Sequence, residues 1–182
     1  MCVCICICLC ELCVCVCACD LCSCLYASLH GQYSKRTRVW HRRLGNVYYF
    51  GVLCGVAGGL VLATRTQGGW ISVVGFSMLA MLWLITALVA VYFIKYKRYH
   101  AVTENEMKRC IAKHRAWMLR NMALTFASVT LRLYWKPLFK GVYGKSRAWD
   151  VSSWMCWIGN GCVIEGYLLY ERFCVLKRSA YY

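Results

Sequence analysis

The sequence predicts an all-α, multi-pass transmembrane helical bundle of four helices in up-down order. Three observations predict it. Hydrophobic residues make up 61% of the 182 residues and charged residues 16%, against roughly 45–50% and 25% in soluble domains. Beyond residue 43 the apolar residues gather into four runs, each close to the ~20 residues a helix needs to cross hydrocarbon. Lys and Arg outnumber Asp and Glu 22 to 7, a net charge of +15, and these charges cluster at the edges of the runs. That composition argues against a water-soluble enzyme and against disorder. One proline and 14 glycines exclude linker-like low complexity for most of the chain.

The N-terminal segment, residues 1–34, stands apart. Eleven of the 16 cysteines lie between Cys2 and Cys24, in a Cys-x-Cys alternation with Val, Ile, Leu or Ala. A disulfide domain needs loops between its cysteines, and this segment has none. Metal-binding cysteine tracts are usually polar, and this one is apolar. A TGTGTG repeat read in frame encodes Cys-Val-Cys-Val, so the segment reads as low complexity or a start-site artefact. The rival readings are a weak extra membrane helix and, last, a thiolate metal site. Without a basic n-region, and with Glu11 and Asp20 interrupting it, it does not read as a signal peptide.

The four-helix domain is placed at residues 35–172, followed by a short basic tail at 173–182. The first span is predicted at about Leu44–Thr64. It carries Gly51, Gly55, Gly59 and Ala63 at four-residue intervals, a spacing that lets helices approach closely and permits a helix-mediated oligomer. TRTQGG at Thr64–Gly69 predicts a tight hairpin into the second span, Trp70–Ile94. Tyr96–Lys113 reads as a polar loop, and the third span follows at Arg115–Leu133. Tyr134–Asp150 holds the one proline, Pro137, and the fourth span is Val151–Tyr170. Four passes put 14 basic residues on the side of both ends of the bundle and five on the other, which assigns the first side to the cytoplasm.

The third span carries a polar stripe. At 100° per residue, Met118, Asn121, Thr125, Ser128 and Arg132 fall within about 40° of His114. Polar groups inside a membrane are expensive and face the bundle interior. Depth arithmetic places Thr125 and Asn160 near mid-membrane. Arg120 and Glu165 share a depth about 9 Å inside the cytoplasmic edge, and Arg132 comes within reach of Asp150. Arg120 and Glu165 are therefore expected to pair inside the bundle, although Arg120 points about 120° away from the stripe.

His41, His100 and His114 fall on the predicted cytoplasmic side. Neutral imidazoles at helix ends on one side could hold a haem iron or another transition metal, with His41 and His114 as ligands and Arg120 and Glu165 behind them. The alternative for each histidine is an interfacial side chain among Lys and Arg. No hydrolase, nucleotide-binding or metalloprotease motif is present, so no catalytic residue is assigned. The basic cluster Arg38–Arg43 suits anionic lipid headgroups, and nucleic acid is not needed to explain it.

Three runs carry a family resemblance: VWHRRLGNVY from Val39 to Tyr48, HRAWMLRNMALTFASVTLRL from His114 to Leu133, and WMCWIGNGCVIE from Trp154 to Glu165. Over about residues 35–170 the chain resembles the predicted integral membrane proteins designated domain of unknown function 2306. The resemblance implies a helical membrane protein with no established activity. It implies recurrent positions at His41, Gly45, Tyr48, His114, Arg115, Trp117, Met118, Arg120, Thr125, Arg132, Trp157, Asn160 and Glu165. The cysteine repeat departs from the family, taking the place of a further apolar segment. Three functions stay open on these grounds: a haem or metal protein working in electron transfer with an unidentified redox partner, a transport or proton-relay bundle built on the stripe and Glu165, and an assembly subunit without a site.

Overall fold

The computed structural model describes residues 35–179 apart from 67, 98 and 134–137. The cysteine repeat and the last residues of the basic tail lie outside that range. Among the described residues the fold is all α, with no strand. Helix α1 spans Lys35–Ala63 and α2 Trp70–Tyr92. A π-helical turn follows at Phe93–Lys97. Then come α3, Glu104–Thr125, α4, Ala127–Leu133, the single turn α5, Lys140–Tyr143, and α6, Lys145–Ser179. In lipid a helix is the form that satisfies its own backbone, which is why long apolar runs become helices here.

The segments Val39–Ala63 and Trp70–Lys97 are each long and apolar enough to cross a membrane. The first, 25 residues, is about 37 Å long. The expectation that all four spans supply enough apolar length by themselves is corrected: α3 and α6 are more polar. Several of their polar groups are met by neighbouring helices.

Helix α2 is central and packs against α1, α3 and α6, while α3 also packs against α6. The hydrogen bonds give the directions. His114 at the start of α3 meets Ala90 at the end of α2, and Asp150 near the start of α6 meets Ser72 at the start of α2. The helices therefore alternate up and down, as predicted. The core is Tyr48, Val52 and Val56 of α1, Ala80, Trp83 and Ala87 of α2, and Met122 of α3.

Close approach is made possible by small residues. A Cβ added at Gly55 of α1 would lie 2.7 Å from Cζ3 of Trp83. A Cβ at Gly75 of α2 would lie 2.7 Å from Oγ of Ser153. The glycine spacing of the first span thus serves packing inside the chain at Gly55, whereas Gly59 has nothing within 4 Å of an added Cβ.

Four boundaries differ from the sequence reading, the last being the fourth span: α6 runs Lys145–Ser179, past both ends of the expected Val151–Tyr170 and into the stretch read as a tail. The first helix already includes Lys35, nine positions before Leu44, because its basic N-terminal turns remain good helix formers. The predicted polar loop Tyr96–Lys113 is helical from Glu104. Its start is a capping box: Glu106 N–H donates to Thr103 Oγ1 at 3.3 Å, and Glu106 Oε2 accepts from Val102 N–H at 3.0 Å and Thr103 N–H at 3.2 Å. The backbone N–H groups of Thr103 and Val102 hold the Glu106 carboxyl below the usual carboxylate range. The third span is also not one continuous helix. It breaks at Phe126 between α3 and α4, where the Thr125 hydroxyl lies 3.0 Å from the Asn121 carbonyl, a back-bonding that bends helices.

A glycine contact of this kind is testable. Trp83 is itself pinned by a hydrogen bond from its Nε1 to Thr125 Oγ1 at 2.9 Å, so its ring cannot retreat. Gly55→Leu is expected to lose about 1–3 kcal/mol through overpacking, and Gly59→Leu to change little. Thermal unfolding of the detergent-purified variants measures both; equal losses would show that the α1–α2 contact does not depend on Gly55.

Candidate functional site

The polar stripe of α3 holds its predicted face as far as Thr125. It points toward α1 and α2, and Met118 packs beside the core. Asn121 and Thr125 are buried. Asn121 Nδ2 donates to the Trp83 carbonyl and to Thr86 Oγ1, both at 2.7 Å, and Asn121 Oδ1 accepts from the Tyr48 hydroxyl. Tyr48 Oη and Thr125 Oγ1 are 2.9 Å apart. Thr86 Oγ1 donates to the Leu82 carbonyl at 2.8 Å.

Proton bookkeeping closes this network. Tyr48 spends its hydroxyl proton on Asn121. Thr125 therefore gives its own to Tyr48 Oη or to the Asn121 carbonyl, and receives that of Trp83 Nε1. Every side-chain N–H and O–H in the cluster has an acceptor. Trp83 and Thr86 are not legible as members from the sequence, although an indole N–H within an apolar helix requires an acceptor. Tyr48 is marked there only through the family resemblance.

Beyond Thr125 the stripe disperses. Ser128 Oγ donates back to the Thr125 carbonyl at 3.4 Å. Arg132 stands in the last turn of α4. Asn160 does not meet Thr125; its Nδ2 donates to the Ala123 carbonyl at 2.9 Å and lies 3.4 Å from Thr130 Oγ1. Asp150, placed by sequence beside Arg132, accepts from Ser72 Oγ at 2.7 Å and Gly69 N–H at 3.2 Å. It supplies in trans the cap that α2 lacks, since Gly69 at its N-cap has no side chain.

Arg120 and Glu165 do meet. The pair is two-pronged, Nε to Oε1 and Nη2 to Oε2, the latter at 2.9 Å, and the guanidinium lies over the Trp117 ring, 4.9 Å from its centroid. The expected position inside the bundle is corrected. The side chains are 22% and 50% exposed, so the pair sits at the outer margin of the α3–α6 contact, as the 120° offset of Arg120 from the stripe requires. One turn nearer the same end, Arg115 pairs with Glu171.

The two candidate ligands lie at that end. His114 is half-buried, and its Nδ1 is 2.8 Å from the Ala90 carbonyl. A carbonyl only accepts, so Nδ1 carries a proton, and in the neutral imidazole Nε2 is then the bare nitrogen. The Ala90 carbonyl also accepts from Phe93 N–H, where α2 gives way to the π-helical turn. His41 lies seven residues before Tyr48 on α1, as His114 lies seven before Asn121 on α3, so the Tyr48–Asn121 bond sets the two histidines at the same level of the bundle. His100 is elsewhere, 4.6 Å from Tyr96 between ring centroids. Among the described residues no group of three or more His, Cys, Asp or Glu side chains is gathered.

Two substitutions test this geometry. Asn121→Ala removes the acceptor of the Tyr48 hydroxyl proton and the amide donor shared by the Trp83 carbonyl and Thr86 Oγ1, and is expected to lose about 1–3 kcal/mol. Ser128→Ala, which removes one long local bond, should lose far less. Comparable unfolding temperatures for the two would contradict a network centred on Asn121. For the ion pair, Arg120→Glu and Glu165→Arg are each expected to lower stability, and the double exchange to recover most of it. A double variant no better than either single one would show that the pair contributes nothing.

A family model described as "Predicted membrane protein (DUF2306)" matches residues 16–168. The match begins earlier than the resemblance read from residue 35 and includes the latter part of the cysteine repeat. No curated protein and no solved structure matches the chain.

Proposed function

The chain belongs to the predicted membrane protein family DUF2306, and we propose that this integral membrane protein holds a haem iron between His41 and His114 for electron transfer. One observation carries the reading. The Nδ1–H of His114 is committed to a backbone carbonyl, the arrangement that orients a metal-ligating imidazole and leaves Nε2 as the donor. His41, at the same level on α1, is the second imidazole.

The donor count favours haem over a bare ion. Two imidazoles are too few for a tetrahedral site, which takes four protein ligands or three and a water. The described residues bring no third donor of the usual kinds. A porphyrin supplies four nitrogens itself and asks the protein only for axial ligands. Arg42, Arg43 and Lys113 adjoin the two histidines in sequence and offer cations for propionates. A proton relay along the stripe is less supported. The Asn121 network contains no carboxylate, imidazole or ammonium group, and its donors are already committed.

Absorption spectroscopy of protein purified in mild detergent after expression with haem supply tests the proposal. A Soret band is expected in the native protein and in His100→Ala. It should be lost in His114→Ala and in His41→Ala, with unfolding temperature retained in at least one of these. A native protein with no Soret band overturns the proposal, as does a band that survives both ligand substitutions.

A further inference from the structure

The outer face of α6 carries a repeat that the bundle does not use. Met155, Gly159, Cys162, Gly166, Leu169 and Phe173 follow one another at alternating intervals of four and three. That is the spacing of a left-handed helix–helix seam, with small residues at its centre. Met155, Cys162, Gly166, Leu169 and Phe173 are exposed and Gly159 is partly so. A Cβ added at Gly159 or Gly166 would meet nothing within 4 Å. Within the chain these glycines therefore have no packing role, unlike Gly55 and Gly75.

Beside the seam lies a group that lipid cannot accommodate. Glu165 is 50% exposed and about 8 Å inside the span predicted to close at Tyr170. A carboxylate there, even paired with Arg120, needs protein or water on its open side. Two copies inserted in the same way pair this seam in parallel. In that register each position preceding a seam glycine faces the position five further along the partner helix. Ile158 then faces the second copy's Val163, and Glu165 faces its Tyr170. Val163 and Tyr170 are 74% and 68% exposed in the single chain. Apolar meets apolar, and a phenol O–H meets a carboxylate.

We propose that the protein is a parallel homodimer in the membrane, joined along Met155–Phe173 of α6, with Tyr170 of each copy donating to Glu165 of the other. The second copy is the occupant that this face fits, because the register supplies both the apolar cover for the seam and the donor for the carboxylate.

The test uses the full chain with Cys162 as its single remaining cysteine, the other fifteen replaced by serine or alanine. Mild oxidation in native membranes is expected to give a disulfide-linked dimer. A control in which Cys162 is also replaced and Ile164→Cys supplies the single cysteine, on the far side of the helix, should stay monomeric. In the otherwise native chain, Gly159→Leu with Gly166→Leu should convert the detergent-solubilised protein from dimer to monomer by light scattering, with helical content and cooperative unfolding retained. Absence of the Cys162 crosslink, equal crosslinking from position 164, or a dimer mass unchanged by the double substitution each overturns the proposal. A native protein that is already monomeric in membranes, with lipid covering the face, does the same.

Discussion

The arrangement of this bundle depends on one buried amide. Asn121 ties α3 to α2 through the Trp83 carbonyl and Thr86 Oγ1, and to α1 through the Tyr48 hydroxyl. Between helices in lipid there is little hydrophobic driving force, because lipid tails are as apolar as leucine. Packing and interhelical hydrogen bonds must set the register. Of the two, a carboxamide with acceptors on one side and a donor on the other is the more discriminating. A slip by one residue on α2 or α3 would strand several polar groups at once. The cost of an unsatisfied group, about 1–3 kcal/mol, exceeds what a single apolar contact returns.

The remaining contacts follow from that register. With α3 held against α2, His114 comes opposite the Ala90 carbonyl. The antiparallel α6 brings Glu171, Glu165 and Asn160 in turn to Arg115, Arg120 and the Ala123 carbonyl. At the other end Asp150 caps α2. Glycines decide how close the backbones come: Gly55 admits the Trp83 ring, and Gly75 admits Ser153. The polarity of α3 and α6 is consistent with membrane burial because much of it is spent on neighbouring helices.

The polar groups fall into three chemically distinct sets. The Asn121 cluster is neutral and closed, and its properties are those of a structural joint. The Arg–Glu ladder is charged and lies at the margin of the α3–α6 contact. At the histidine end, a backbone carbonyl engages Nδ1 of His114. This division separates the neutral joint that holds the bundle together from the titratable groups at one end of it. It also explains why a stripe that looks continuous along one helix does not act as a single pathway: the helix breaks at Phe126 and the stripe divides there.

Much of the architecture is legible in the sequence. Apolar run length, edge charges and the 3.6-residue period depend on local composition and on hydrocarbon thickness. They are enough for helices, their alternation and the inward face of His114, Met118, Asn121 and Thr125. Matching depths along two spans are enough to pair Arg120 with Glu165. The capping box at Thr103–Glu106 is also written in the sequence, within a stretch whose polarity reads as a loop. Other features are decided by tertiary structure alone. Which acceptors Asn121 takes, that Asp150 goes to Ser72 rather than toward Arg132, that Asn160 goes to Ala123, and that the Arg120–Glu165 pair lies at the margin all depend on rotation of one helix about its axis relative to another. A single sequence specifies the faces of each helix. The angle at which two faces meet is set by the joint satisfaction of hydrogen bonds and side-chain volumes on both, and that is a property of the pair.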